Sequence, residues 1–374
     1  MLPEGLHRPA AIATGVGFLA WVMSPEQLLF VLAFTLVLHL AADHPKAAVA
    51  ALFVLFLPAV FSGILLDLAG GPSKDDRIPA FFLVIYFKKA IYRSWERGVA
   101  GTEVPTLPET AEYFLSLPFA LGKAAVFSPA EWKKRGAGMV KGLRTLSLAL
   151  GHLLLWLGLL ALPWSLVVDG RLVKNLDSTP WLALYGVVLA NWVMTYLFRY
   201  GHEQLSVGAA RVLGHDVRDN YQQPLLAKDY AEFWRHWNIH FRDMVVRMFY
   251  MPIALRLNRS QPRRRLLNLG AAVVVTFAAH GTFMVLVRGI HLPLFVGGAW
   301  LELAIALAIY EVFEALFVWL TLAWQSKRKK VRSRLRTIGG IVLTFHLRAL
   351  LVLFVLRRGV GLDDVFELLR ALVW

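Results

Sequence analysis

His280 lies within Leu266–Val287, a run of mostly Ala, Val, Leu and Phe long enough to cross a bilayer as one helix. A polar group left bare in hydrocarbon costs several kcal/mol, so an imidazole there must be hydrogen-bonded, paired or open to a water-filled cavity. Imidazole exchanges a proton near neutral pH, which makes an intramembrane histidine a candidate for proton transfer. A second group of candidates stands upstream, in Glu232-Phe-Trp-Arg-His-Trp-Asn-Ile-His240. There Asn238 carries an amide able to donate to a carbonyl or a developing oxyanion.

The elements that must position these groups are membrane helices. The chain has 374 residues, 57% hydrophobic and only 17% charged, with mean hydropathy +0.56. Soluble domains average about a quarter charged. The apolar runs are continuous rather than short and alternating, which predicts an all-α polytopic membrane protein, a single integral membrane domain over 1–374, and excludes a β-barrel. There is no cysteine. That excludes disulfides, thiolate metal sites and any mechanism that parks an acyl group on an enzyme thiol. The net charge of +15 is read as loop Lys and Arg that set orientation and touch anionic lipid, not as nucleic-acid binding.

Apolar segments at Ala10–Met23, Glu26–Ala42 and Ala47–Ala69 open the chain, and the first is expected to be a retained helix rather than a cleaved signal. Ile78–Gly142, punctuated by Pro105, Pro108, Pro118 and Pro129, reads as interfacial or re-entrant. Further spans are expected at Leu143–Val168, Trp181–Tyr200, Leu266–Val287, Leu292–Trp324 and Ile338–Leu356. Leu292–Trp324 exceeds one straight span and reads either as a long tilted helix or as a loop segment plus a helix. Between them, Gly201–Arg265 is polar and amphipathic. Placing the basic regions Lys123–Arg144, Arg199–Arg265 and Lys327–Arg336 in the cytoplasm satisfies every intervening span. No internal repeat is seen, which argues against an inverted-repeat transporter.

Tyr230 to Pro252 reads as one amphipathic helix. At 100° per residue Tyr230, Trp234, Trp237, Phe241, Met244, Val245 and Met248 share a face, with Asn238 and His240 flanking it. Trp at this spacing is also what a helix in the bilayer interface carries.

Gln204-Leu-Ser-Val-Gly-Ala-Ala-Arg-Val-Leu-Gly214, then Asn220-Tyr-Gln-Gln-Pro-Leu-Leu-Ala227, then Asp229-Tyr-Ala-Glu-Phe-Trp-Arg-His-Trp-Asn-Ile239 resembles, in order and spacing, the central block of the membrane-bound O-acyltransferase (MBOAT) family. Tyr250-Met-Pro252 is similar to the aromatic-x-Pro that closes that block, and His280-Gly281 to the family's His-Gly in an apolar helix. The resemblance covers roughly 110–325 and is strongest at 204–252. It departs from the bacterial branch at Arg247-Met-Phe-Tyr250, where Arg-Asp-Tyr is usual, and at Ala279, where Trp often stands. These departures bear on the acceptor more than on the reaction class.

The resemblance implies a helical bundle of about 8–10 membrane helices plus re-entrant or interfacial ones, with 204–287 as its catalytic core segment. It implies His280 as general base for a hydroxyl attacking a thioester, a role worth about 10²–10⁴ in rate. It implies Asn238 as the group that positions the acyl carbonyl, worth about 10²–10³. Trp234, Arg235, Trp237 and Tyr250 become candidate substrate-binding residues. The implied donor is acyl-CoA or acyl carrier protein, and the implied acceptor a hydroxyl on a glycan, glycolipid or metabolite. Membrane lipid surrounds the chain, an accessory protein is a further possible partner, and no cofactor or metal is implied. The bacterial cytoplasmic membrane is the expected location.

A lysophospholipid or lipid-alcohol acceptor is the nearer alternative, favoured slightly by Asn238. A non-enzymatic transporter or scaffold is the alternative of another class. Its support is Glu302, Glu311 and Glu314 in an apolar segment, which otherwise read as structural or cavity-lining. His39, His152 and His346 read as helix–helix hydrogen-bond partners.

Overall fold

The computed structural model describes residues 4–22, 25–40, 89, 93, 106–116, 134, 136–160, 180–289, 300–327 and 334–352. The expected span Ala47–Ala69, most of the mixed region and the tail lie outside them. In order, the helices are α1 (Glu4–Val22), α2 (Pro25–Leu40), α3 (Leu107–Leu115), α4 (Met139–Leu160), α5 (Trp181–Val212), α6 (Tyr230–His236), α7 (Ile239–Val245), α8 (Met251–Ser260), α9 (Arg265–Gly289), α10 (Trp300–Lys327) and α11 (Arg334–Val352). Among the described residues there is no strand, and five helices are long and apolar enough to span a membrane: α4, α5, α9, α10 and α11. The protein is an all-α polytopic membrane protein.

Of the expected segment Leu292–Trp324, residues 292–299 lie outside those described, and the rest belongs to α10, described over Trp300–Lys327. Helix α5 does not stop at Tyr200 but runs on to Val212, because its later polar side chains are buried by protein rather than shed into water. Glu203, Gln204 and Ser206 are all fully buried.

Contacts divide the chain into two compact units. One comprises Met1–Gly151, Gly201–Asn220 and Leu286–Pro293. In it, Thr106 and Glu109 form a reciprocal capping box that starts α3. Glu112 on that helix is held by Arg8 at 3.1 Å and by His215 at 3.4 Å. Gly208 lets α4 and α5 meet closely, since a Cβ there would stand 2.7 Å from the Leu146 side chain. Arg211 ties the end of α5 down by donating to the Val217 carbonyl, Thr145 Oγ1 and Asp219.

The other unit comprises His152–Tyr200, Tyr221–Val285 and Leu294–Trp374, and it holds both groups of candidate residues. Its helices are inside-out relative to those of a soluble protein. On α9, Leu267, Val274 and Val275 are exposed, while Asn268, Val273, Phe277, His280 and Gly281 are buried. On α10, Val312, Phe313, Leu316 and Leu320 are exposed, while Tyr310, Glu311 and Glu314 are buried. Lipid makes this arrangement stable: apolar groups face hydrocarbon freely, and the polar ones must find partners inside. The core between the helices is aromatic, built on Trp192, Tyr230, Phe233, Trp234, Phe277 and Tyr310.

The expected single helix over Tyr230–Pro252 is broken. Helix α6 ends at His236, Trp237 is extended, and Asn238 adopts the left-handed conformation (φ 46°, ψ 54°) before α7 begins. Asn tolerates this region better than most residues, and the break swings the second half of the segment to a new direction. A turn of π-helix then covers Val246–Tyr250, in which the Met251 N–H donates to the Val246 carbonyl. Pro252 follows it, a residue with no N–H to continue the α-helical ladder.

The start of α6 is firmly made. Asp229 Oδ1 accepts from the Glu232 N–H at 2.8 Å, and its Oδ2 accepts from Gln325 on α10 at 2.9 Å. Burial raises the Glu232 carboxyl, but the Lys228 N–H and ammonium outweigh it and hold its pKa below the ordinary value. Asp229→Ala removes a cap and an interhelix bond together. It is expected to cost about 1–2 kcal/mol, read as a lower unfolding midpoint in detergent.

Candidate functional site

Helical spacing gathers the site. His280 and Gly281 lie three and four residues after Phe277, on the same buried face of α9. On α10, Tyr310, Glu311 and Glu314 share the inward face for the same reason. His280 is 9% exposed and sits fifteen residues into its helix, roughly 22 Å along the axis from Arg265.

His280 Nδ1 lies 2.7 Å from Glu311 Oε1, a buried His–carboxylate pair between two spans. Gly281 makes room for it: a Cβ at that position would stand 2.8 Å from Glu311 Cγ. The imidazole is walled by rings. Trp234 meets it edge-on with centroids 5.3 Å apart, Phe241 packs at 5.4 Å and Phe277 at 6.2 Å. Such walls keep water from competing for the hydrogen bond and strengthen it electrostatically.

Beside this pair lies a second one. Glu314 Oε2 accepts from Trp234 Nε1 at 2.7 Å, and Glu314 Oε1 pairs with Arg348 of α11. Arg348 also donates to the Tyr310 hydroxyl at 3.1 Å and lays its guanidinium 4.3 Å from the centre of Phe233. Trp234 therefore belongs to both pairs, its ring against His280 and its N–H on Glu314. Glu314 is saturated and neutralised, whereas Glu311 has its Oε2 buried with no hydrogen-bond partner.

Asn238 occupies the left-handed break between Trp234 and Phe241, the two residues whose rings flank His280 from this segment. The other expected binding residues scatter. Arg235 is exposed. Trp237 stacks on Phe233 and meets Trp192 and Tyr221. Tyr250 is half-buried against the aromatic core, and burial pushes its hydroxyl pKa up.

Of the other histidines, His39 bonds Thr110 of another helix at 3.2 Å. His152 stacks on Tyr200 at 4.1 Å. His346 instead bonds the Val342 carbonyl of its own helix and stacks on Tyr185. The Glu302 side chain lies outside the described ones. Among the described residues no group of three His, Asp or Glu is arranged to hold a metal ion.

The sequence reading missed two members of the site, Arg348 and Tyr310. Arg348 had a signal, being a charge inside the apolar run Ile338–Leu356, where an arginine needs a buried counter-charge. Glu311 and Glu314 were singled out, but nothing in their spacing says that one would meet a histidine and the other an arginine. The sequence matches no protein-family model and no curated protein.

Proposed function

We propose that this protein is a membrane-embedded O-acyltransferase that moves an acyl group from a thioester donor, an acyl-CoA or acyl carrier protein, to a hydroxyl of a glycan, glycolipid or metabolite. The observation that carries the reading is the imidazole of His280, buried between two spans and held by a carboxylate at Nδ1. One ring nitrogen is thereby occupied, and Nε2 is the remaining base. The resemblance around Trp234, Asn238 and His280 supplies the reaction class.

In the reaction, Nε2 of His280 takes the proton of the acceptor hydroxyl as its oxygen attacks the thioester carbonyl. The Asn238 amide donates to the oxygen on which charge develops. The carbon–sulfur bond breaks, and the thiolate leaves with the proton carried by His280. The products are an ester and a free thiol.

Two substitutions separate the amide of Asn238 from its backbone. Asn238→Gly keeps the left-handed turn and removes the amide, whereas Asn238→Ala removes the amide and strains the turn by about 1–2 kcal/mol. Both are expected to lower turnover by about 10²-fold, and only the alanine variant to lower the unfolding midpoint as well. Full activity in Asn238→Gly would assign Asn238 to the backbone alone.

The reading is tested with purified protein, acetyl- and long-chain acyl-CoA carrying labelled acyl groups, and lipid and glycan extracts. An ester-labelled component is expected, and its chemistry names the acceptor class, a lysophospholipid included. The buried carboxylates Glu311 and Glu314 favour one other reading, proton-coupled transport. Proton-coupled flux in liposomes without any ester product would replace the transferase reading with that one.

A further inference from the structure

Glu311 stands on the inward face of α10, three residues from Glu314, yet the two carboxylates have opposite circumstances. Glu314 has a tryptophan N–H and an arginine, a full set of partners and a counter-charge. Glu311 is 6% exposed, bonds His280 through Oε1, and keeps Oε2 buried without a partner. A buried carboxylate with one oxygen lacking any donor is left short of stabilisation. Within this pair, the change that neutralises it is the arrival of a proton on His280.

We propose that Glu311 is the positioning residue of the transfer reaction: it fixes His280 as the Nδ1–H tautomer, presents Nε2 to the acceptor hydroxyl, and stabilises the imidazolium formed when the hydroxyl proton is taken. This inference rests on the acyltransferase reading. During the step the acceptor O–H bond breaks and its proton joins Nε2, while the new carbon–oxygen bond forms. Nδ1–H stays bonded to Glu311, now as an ion pair. When the carbon–sulfur bond breaks, the leaving thiolate takes the proton from Nε2, and the neutral imidazole is restored. The carboxylate is never protonated in this sequence; it acts through charge and geometry.

Gly281 completes the device. With Glu311 Cγ only 2.8 Å from where a Cβ of residue 281 would stand, any larger residue pushes the carboxylate away from the imidazole. Glu311 is therefore perturbed in two independent ways, by Glu311→Gln at its charge and by Gly281→Ala at its position.

The test reads His280 itself as well as turnover. Purified wild type, Glu311→Gln and Gly281→Ala are treated with diethyl pyrocarbonate, and carbethoxylation of each histidine is followed by mass spectrometry. His280 is expected to react about tenfold more slowly in both variants: in Glu311→Gln an amide donates to Nδ1 as readily as it accepts, and in Gly281→Ala the carboxylate is displaced from Nδ1, so in each the nucleophile loses its activation. His39, His152 and His346 serve as internal standards whose rates stay unchanged. Turnover is expected to fall by about 10²–10⁴ in kcat with little change in KM.

A role for Glu311 in packing alone would lower the unfolding midpoint and leave the His280 modification rate and the kcat of the folded fraction as in wild type; that result overturns the inference. His280 chemistry that is slowed in both variants, in a protein that transfers no acyl group, would retain the pair and remove the acyltransferase reading. Unchanged His280 chemistry in an active transferase would do the reverse.

Discussion

His280→Gln is expected to abolish acyl transfer, lowering kcat by about 10²–10⁴ while the protein remains folded. Glutamine is the informative replacement because its amide N–H can donate to Glu311 Oε1 in place of Nδ1, which lies 2.7 Å from that oxygen in the wild type. Alanine would instead strand a buried carboxylate between two spans and empty the space against Trp234, Phe241 and Phe277, so lost activity could follow from lost structure. Glutamine retains the hydrogen bond and much of the volume but has no nitrogen able to accept and release a proton. Turnover against donor and acceptor concentration, with the unfolding midpoint measured in the same detergent, separates the two effects. Loss of kcat at an unchanged midpoint is the expected pattern.

The largest effect on stability is expected at the neighbouring pair. Glu314→Gln leaves Arg348 charged, buried and without a counter-ion, surrounded by Trp192, Tyr230, Phe233, Trp234 and Tyr310. Breaking a buried pair by removing one partner costs about 3–5 kcal/mol, whereas removing both often costs little or nothing. The double variant Glu314→Gln with Arg348→Met is therefore expected to be more stable than Glu314→Gln alone, a coupling read directly from unfolding midpoints. Arg348→Lys is not expected to substitute, because an ammonium cannot bond Glu314 and Tyr310 together while lying flat on Phe233. The rings explain why an arginine was tolerable here, since the negative faces of their π-systems stabilise a cation inside an otherwise apolar core. Additive losses in the double variant would mean that the pair is not a coupled unit.

How much of this was legible in the sequence depends on the kind of signal. The spans were legible because lipid imposes length and apolarity on every residue of a crossing helix, and Trp181 and Arg265 mark helix starts within a residue of those expected. His280 and Glu311 were each legible as charges or potential charges in hydrocarbon, because the cost of placing them there is a property of the residue alone. Their meeting was not, since α9 and α10 are separate helices and rotation of one about its axis is set by packing rather than by its own pattern. The near-uniform apolarity of α9 hides which face is inward. Asn268, His280 and Gly281 interrupt it on the buried side, but Thr276 and Thr282 interrupt it too, and Thr282 is exposed, so the polar residues alone do not mark one face.

The break at Asn238 failed for a different reason. Tyr230 to Met248 satisfies a helical period on both sides of the break, so the pattern carries on through a residue whose backbone does not. A single left-handed residue leaves no periodic trace; its only mark is the residue type, and an Asn within an amphipathic period is compatible both with a polar helix position and with such a turn. The consequence is functional, because the break lets Trp234 and Phe241, from separate helices, pack on the same imidazole.

Single-turnover reaction of purified wild type and His280→Gln with a labelled acyl thioester and the labelled acceptor extract is the most direct test of the central claim, that His280 is the base of an acyl transfer. Wild type should release one free thiol for each ester formed, with both products appearing at the same rate, and His280→Gln should form neither. Equal ester formation by the two proteins, or thiol release without any ester in the wild type, would contradict it.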